Sequence, residues 1–266
     1  MALPLKKNLS FSPQQISELI NINYTKLIGA FYESQSNFLS GIYRRYNSIE
    51  TANIILCFAR NVHLEIIRQR EKDLNFNVSL EKFWENFNLI TKSSYKITNV
   101  VENTGIPKQT VRRKIKQLIN TGFLIKDKKN NAYSWALSKQ EKSQYFKIIN
   151  EEIKGLAFFI NKIINLLNIK IDSKTVEQEI ESQFSFYWYH YLSCQIEWLK
   201  WWQLKFKDNE LLLIALQVTI PSLNCISKNI GEVNLKNVFE KIGMVSCIEK
   251  SAVSATSIHE ITGIPR

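Results

Sequence analysis

The stretch YKITNVVENTGIPKQTVRRKIKQLINTGFLIKDKKNNAYSW, Tyr95 to Trp135, decides how the chain is read, because helix, turn, helix and hairpin signals follow one another in it without a gap. Val100 and Val101 give a short helix its apolar side, and Thr104-Gly105 ends that helix where glycine tolerates a tight turn. Pro107 suits the first position of the next helix, where its missing N–H would have no intrahelical partner. At roughly 100° per residue, Val111, Ile115 and Leu118 fall on one side of this second helix and Gln109, Arg112, Arg113 and Lys116 on the other. Gly122 stops it. Phe123, Leu124 and Ile125 open a strand, Lys126 to Asn131 is polar and turn-prone, and Ala132 to Trp135 returns as the second strand of a small hairpin.

Over about one sixth of its length, Tyr95 to Trp135, the chain resembles the winged helix-turn-helix domain of bacterial transcription regulators of the MarR and IclR type, in the residues TGIPKQTVRRKIKQLINTGFLI from Thr104 to Ile125. The resemblance implies that the second helix, residues 107–120, enters the major groove and that a wing, residues 125–135, touches the backbone. Carried over by position, it implies that Lys108, Gln109 and Arg112 face base edges, and that Thr110, Arg113, Lys116, Lys126, Lys128 and Lys129 hold phosphates. Double-stranded DNA is the implied partner. A homodimer and a small-molecule effector both stay open, and no cofactor is implied.

Charge supports the same partner. Of a formal net charge of +11, the segment from Lys108 to Lys129 holds eight Lys or Arg against one Asp. A surplus concentrated on one helix and hairpin is the electrostatic footprint of a polyanion-binding face, whereas a scattered one says only that the chain stays dissolved. The 8 Gly and 5 Pro among 266 residues leave few breaks for tight turns, so the expected fold is mainly α: a multi-helix bundle carrying a winged helix-turn-helix with its small hairpin.

Other chemistries find little support. Cys57, Cys194, Cys225 and Cys247 lie far apart without a C-x-x-C, as reduced thiols of a cytosolic protein would, and the N-terminus lacks a secretion signal. A cytoplasmic protein is expected. His63, His190 and His259 are too dispersed for a metal site. No P-loop, G-x-G-x-x-G, H-E-x-x-H or G-x-S-x-G motif is present, and the expectation is of a protein that is not an enzyme.

Outward from the central stretch, Ser12-Pro13-Gln14-Gln15 reads as a helix start, followed at helical spacing by Ile16, Leu19, Ile20, Leu27, Ile28 and Phe31. Ser48 caps a helix with Ile54, Ile55, Phe58 and Val62 inward. Ser79 begins another, whose stripe of Leu80, Phe83, Trp84 and Phe87 reads as core rather than as a ligand pocket. Ser138 to Glu141 is a capping box before a long helix, or two, reaching towards Ile171. The aromatic run from Glu181 to Phe206 is interrupted by Glu197, Lys200 and Lys205, which disfavours a membrane span; a buried helix is preferred over one that lies on a membrane or binds a partner. Asp208 caps a further helix that Pro221 interrupts or kinks.

Three short matches point to an internal duplication. Phe38-Leu39-Ser40 recurs as Tyr191-Leu192-Ser193, Val78–Glu85 as Val233–Glu240, and Thr104–Lys108 as Thr262–Arg266, at separations of 153, 155 and 158. The expected units are residues 1–137, with the helix-turn-helix core at about 95–135, and residues 138–266, a second helical repeat whose own reading helix would begin at Pro265. A fragment and a natural protein with a degenerate second module both fit that pattern. His259 stands where the first copy has Val101. The function expected is sequence-specific DNA binding, as a transcription regulator; alternatives are a plasmid or phage replication initiator with tandem winged helices, and a non-enzymatic helical interaction scaffold.

Overall fold

A computed structural model describes residues 10–90, 95–127, 129–229, 237 and 253–265. They form a mainly helical protein with one small antiparallel sheet. In chain order the elements are α1 (Pro13–Ile22), α2 (Tyr24–Tyr46), α3 (Ile49–Lys72), α4 (Phe83–Leu89), α5 (Ile97–Thr104), α6 (Lys108–Asn120), β1 (Leu124–Asp127), β2 (Ala132–Trp135), α7 (Lys139–Leu166), α8 (Ser173–Ser182), α9 (Phe184–Phe206), α10 (Asn209–Asn229) and α11 (Ala255–Thr262).

Helix starts follow the caps read in the sequence. Ser12 and Gln15 bond reciprocally at the head of α1, Ser138 and Glu141 do the same for α7, Ser48 accepts from the Thr51 amide, and Asp208 accepts from the amides of Glu210 and Leu211. Ser79 does not cap. Its amide donates to the Asn77 side chain in a turn, and α4 begins only at Phe83, so the apolar stripe is carried by a shorter helix than expected. Pro107 is likewise not the first helical residue but the extended cap before Lys108. The helix over residues 13–46 breaks at Asn23, while α10 runs through Pro221 to Asn229.

Helix α3 is the centre. Thr51 to Ala59 are nine consecutive buried residues, so this segment is covered on every side. Helices α2, α4, α5, α6, α9 and strand β2 all pack against it. The aromatic stripe of α4 does lie in the core: Phe83 is fully buried against Phe184 and Tyr145, and Trp84 and Phe87 meet Trp135. Helix α9 buries Phe184, Trp188, Leu192, Ile196 and Leu199, but its opposite face leaves Phe186, Trp201, Leu204 and Phe206 about half exposed, so only one side of the expected buried helix is covered. No described helix is long and apolar enough to cross a membrane.

The elements themselves recur. Helices α1 and α2 and the left-handed residue Asn47 reappear as α8, α9 and Lys207, each 160 positions later (13 to 173, 24 to 184, 47 to 207) and with equal helix lengths. Their packing is reciprocal: α2 lies on α10 and α9 on α3, while α5 lies on α9 and α11 on α2. The match of Phe38-Leu39-Ser40 to Tyr191-Leu192-Ser193 is therefore out of register by seven residues, since 160 positions after Phe38 stands Trp198. Seven residues are two helical turns, and such a slip keeps the same apolar face, which is why the short match looked sound. In the match of Val78–Glu85 with Val233–Glu240, the second segment lies outside the described residues, Asn237 excepted.

The core also holds polar groups that find no partner among the described residues. Both ring nitrogens of His63 are buried and make no hydrogen bond to them; its ring stacks on Phe83 with centroids 4.8 Å apart. Burial pushes its pKa down to about 3, so the folded protein keeps the ring neutral where the unfolded chain would protonate it. Stability should then fall as the pH drops below the ordinary histidine value, by up to about 1.4 kcal/mol per pH unit until the folded value is reached. Replacing His63→Leu is expected to flatten that slope, as read by urea unfolding at a series of pH values from 7 to 4. An unchanged slope would show that other groups set the acid sensitivity.

Candidate nucleic-acid interface

Helices α5 and α6 meet at a corner built from four residues. Gly105 takes φ +68°, a left-handed conformation that favours glycine, and a Cβ there would press Leu204 of α9 at 3.3 Å. The buried Thr104 hydroxyl donates to the Val100 carbonyl (2.7 Å) and accepts from the Ile106 amide (3.2 Å), Ile106 is fully buried, and Pro107 sets the extended entry to α6. The same corner stands at the end of α11: Gly263 has φ +81°, and Thr262 bonds Ile258 and Ile264 at 2.7 and 3.1 Å. There His259 donates from Nδ1 to the Ile264 carbonyl at 2.7 Å, so the ring that replaces Val101 fastens its own corner.

Helix α6 divides as the spacing requires. Val111, Ile115 and Leu118 are buried, while Lys108, Gln109, Arg112, Arg113 and Lys116 are exposed and Thr110 is half-buried at the edge. No acidic residue lies between Lys108 and Asn120, and among the described residues none of Lys108, Arg112, Arg113, Lys116, Lys126 and Lys129 forms an ion pair. Like charges at i, i+4 (Lys108 with Arg112, Arg112 with Lys116) each cost a helix about 0.2–0.5 kcal/mol, and a lysine in the first turn opposes the helix dipole. This face is thus charged against the helix's own stability.

Lys114 is the exception. It points inward, donating to the Ser48 and Thr51 hydroxyls at 2.9 and 3.0 Å, with the Glu50 carboxylate at 3.4 Å. Its charge fastens α6 onto the first turn of α3 and offers nothing to a ligand, so the basic surplus of this segment faces solvent only in part. The helical spacing puts Lys114 next to the apolar side, and Ser48 was legible as a cap, but nothing in the sequence joined two residues 66 positions apart.

The hairpin follows at once. Strands β1 and β2 pair from Leu124 opposite Trp135 to Asp127 opposite Ala132, with Leu124, Ala132, Tyr133 and Trp135 inward and Ile125 and Lys126 outward. Its tip is tied by Asp127, which accepts from the Lys129 amide and the Asn130 side chain, both at 2.8 Å; those bonds hold its carboxyl below the ordinary value. Lys129 is exposed, and Lys128 lies outside the described residues. Tyr95 adds a further backbone bridge to Tyr133, and its hydroxyl accepts from Arg60 (3.2 Å) and Asn103 (2.9 Å), which secures α5 to α3. These partners escaped the sequence because one bridging residue leaves no alternating pattern.

No family model, no curated protein and no solved structure matches the chain. The arrangement must therefore be read from its own chemistry: two helices at a fixed corner, the second showing a row of amide and guanidinium donors, beside a short hairpin with exposed lysines. Among the described residues no cluster of three His, Cys, Asp or Glu is available to hold a metal.

Lys114→Met keeps the length of the side chain but strands Glu50 and the two hydroxyls. It is expected to lower stability by about 1–3 kcal/mol in urea unfolding, with the exposed row untouched. A neutral result would mean that apolar packing alone seats α6.

Proposed function

We propose that the chain is a sequence-specific DNA-binding protein of the winged helix-turn-helix kind, acting as a transcription regulator. The observation that carries the reading is the acid-free row of Lys108, Gln109, Arg112, Arg113 and Lys116 on the exposed side of α6, which forms no ion pair among the described residues. In this reading α6 enters the major groove. Lys108, Gln109 and Arg112 meet base edges, since Arg and Gln offer donors in the pattern that guanine and adenine accept, and Thr110, Arg113 and Lys116 hold phosphates together with Lys126, Lys128 and Lys129 of the hairpin. The like-charge tension within α6 would be relieved on a polyanion, so affinity comes chiefly from counterion release and falls steeply with salt.

A random-sequence duplex, followed by fluorescence anisotropy over a salt series, tests this directly. Arg112→Ala with Arg113→Ala is expected to weaken binding by at least tenfold and, since only Arg113 is assigned to a phosphate, to reduce the slope of log K against log salt by about one. Binding as tight as the parent's would remove α6 from the interface, and salt-insensitive or absent binding would favour a protein-interaction scaffold.

The recurrence of α1, α2 and the α5 corner favours a second reading, a replication initiator that engages repeated origin sites. Selection of bound sequences from a random pool separates the two: a single operator-like site supports the regulator, and arrays of repeats support the initiator.

A further inference from the structure

Helices α2 and α7 do not close against one another along their whole length. Between them lies a cavity of about 670 Å³ whose walls include Phe38 and Arg45 of α2, Ile148 and Glu152 of α7, and Tyr191 of α9. That volume falls within the range of pockets that hold small organic ligands.

Two glycines face it, one from each helix. Glycine is a poor residue for a helix interior, and its use there asks for a reason. At Gly29 the reason is packing, because a Cβ would come within 2.9 Å of Asn224. At Gly41 a Cβ would meet nothing within 4 Å, and at Gly155 only the Ser34 hydroxyl at 3.9 Å. Neither glycine lets a neighbouring backbone approach. What their missing side chains leave clear is the cavity.

The polar wall is also unfinished. The Arg45 guanidinium sits among the rings of Tyr46, Phe123 and Tyr145, with centroids 5.5, 5.8 and 5.9 Å away, and its buried Nη2 has no hydrogen-bond partner among the described residues. A buried guanidinium donor left unbonded is costly, and native proteins supply such a group with a partner. The neighbouring charges are otherwise engaged: Arg44 donates to the Glu260 and Ile261 carbonyls at the end of α11, and Glu151 pairs with Lys154 at 2.9 Å. Glu152 makes no ion pair with Arg45, and burial pushes its carboxyl up to about 8 against the attraction of the guanidinium. Lys147 at the rim adds a second positive charge.

We propose that this cavity is a binding site for a small organic anion with an apolar body, its anionic group bonded to Arg45 and its hydrocarbon or ring seated on Phe38, Ile148 and Tyr191. A carboxylate or sulfonate pairs with the positive charge of Arg45 in the cavity wall, and the space above Gly41 and Gly155 receives the apolar part.

Anilinonaphthalene sulfonate is a suitable probe, being an aromatic anion that fluoresces when shielded from water. Titrated into the full chain, it should saturate at one site and be displaced by octanoate, but not by octanol at the same concentration. Gly41→Leu and Gly155→Leu fill the cavity from opposite walls, and each should weaken the probe at least tenfold while circular dichroism stays that of the parent; Arg45→Gln should weaken octanoate to a similar degree. Trp201→Ala, on the exposed aromatic face of α9, should leave binding unchanged. Parent-like binding in whichever cavity-filling variant folds, octanol competing as well as octanoate, or loss of the site in Trp201→Ala would each overturn the proposal.

Discussion

Burial of the first half of α3 on every side is the constraint from which the other placements follow. A helix that exposes no face from Thr51 to Ala59 can be reached only by neighbours that approach from all round it, and here α2, α4, α5, α6, α9 and β2 supply them. Apolar area removed from water stabilises a fold at roughly 25 cal/mol per Å², so a helix wrapped this completely concentrates much of the stability in one element. It also fixes directions. The N-terminal turn of α3 meets Lys114, its middle meets the β2 strand and α5, and its later turns meet Phe83 and Phe184 through His63. The exposed face of α6 is thereby aimed outward by contacts made entirely on its other side.

The basic segment and the cavity meet at Arg45. Its guanidinium touches the Phe123 ring, which stands between α6 and β1 and packs edge-on against Tyr46 with centroids 5.2 Å apart. The root of the hairpin therefore shares an aromatic cluster with the wall of the cavity. Its far end is held by the small bonds of Asp127. The hairpin is short; its tip is tied locally, while its root is held by residues distant in sequence.

How much of this was legible in the sequence depended on range. Amphipathic spacing on α6 and the reciprocal caps at Ser12 and Ser138 are settled within one or two turns, and they read correctly because a single helix contains all the partners. The failures involve partners that sequence spacing does not supply. Ser79 carries a cap residue's chemistry, but Asn77 takes up its amide first. Lys114 carries a surface residue's charge, yet three polar groups at the head of α3 draw it inward. A recurrence of elements was detectable, but its spacing was not, since a two-turn slip preserves the apolar face and it takes the helix bounds and the left-handed Asn47 and Lys207 to distinguish 160 from 153. Arg45 and its cavity left no trace at all, because glycines 41 and 155 are ordinary in a string of letters and acquire meaning only when two helices bring them to the same empty space.

The reciprocal packing of α2 on α10 has a kinetic side. Gln217 reaches Ser36 across 181 positions, Asn224 reaches Glu33 across 191, and Arg44 reaches Glu260 across 216. Contacts that distant in sequence require long loops to close, and they slow folding relative to local ones. During synthesis at about 5–20 residues per second, the apolar side of α2 waits on the order of ten seconds for α10 to be made. Through that interval the side of α2 that α10 covers in the folded chain stays open.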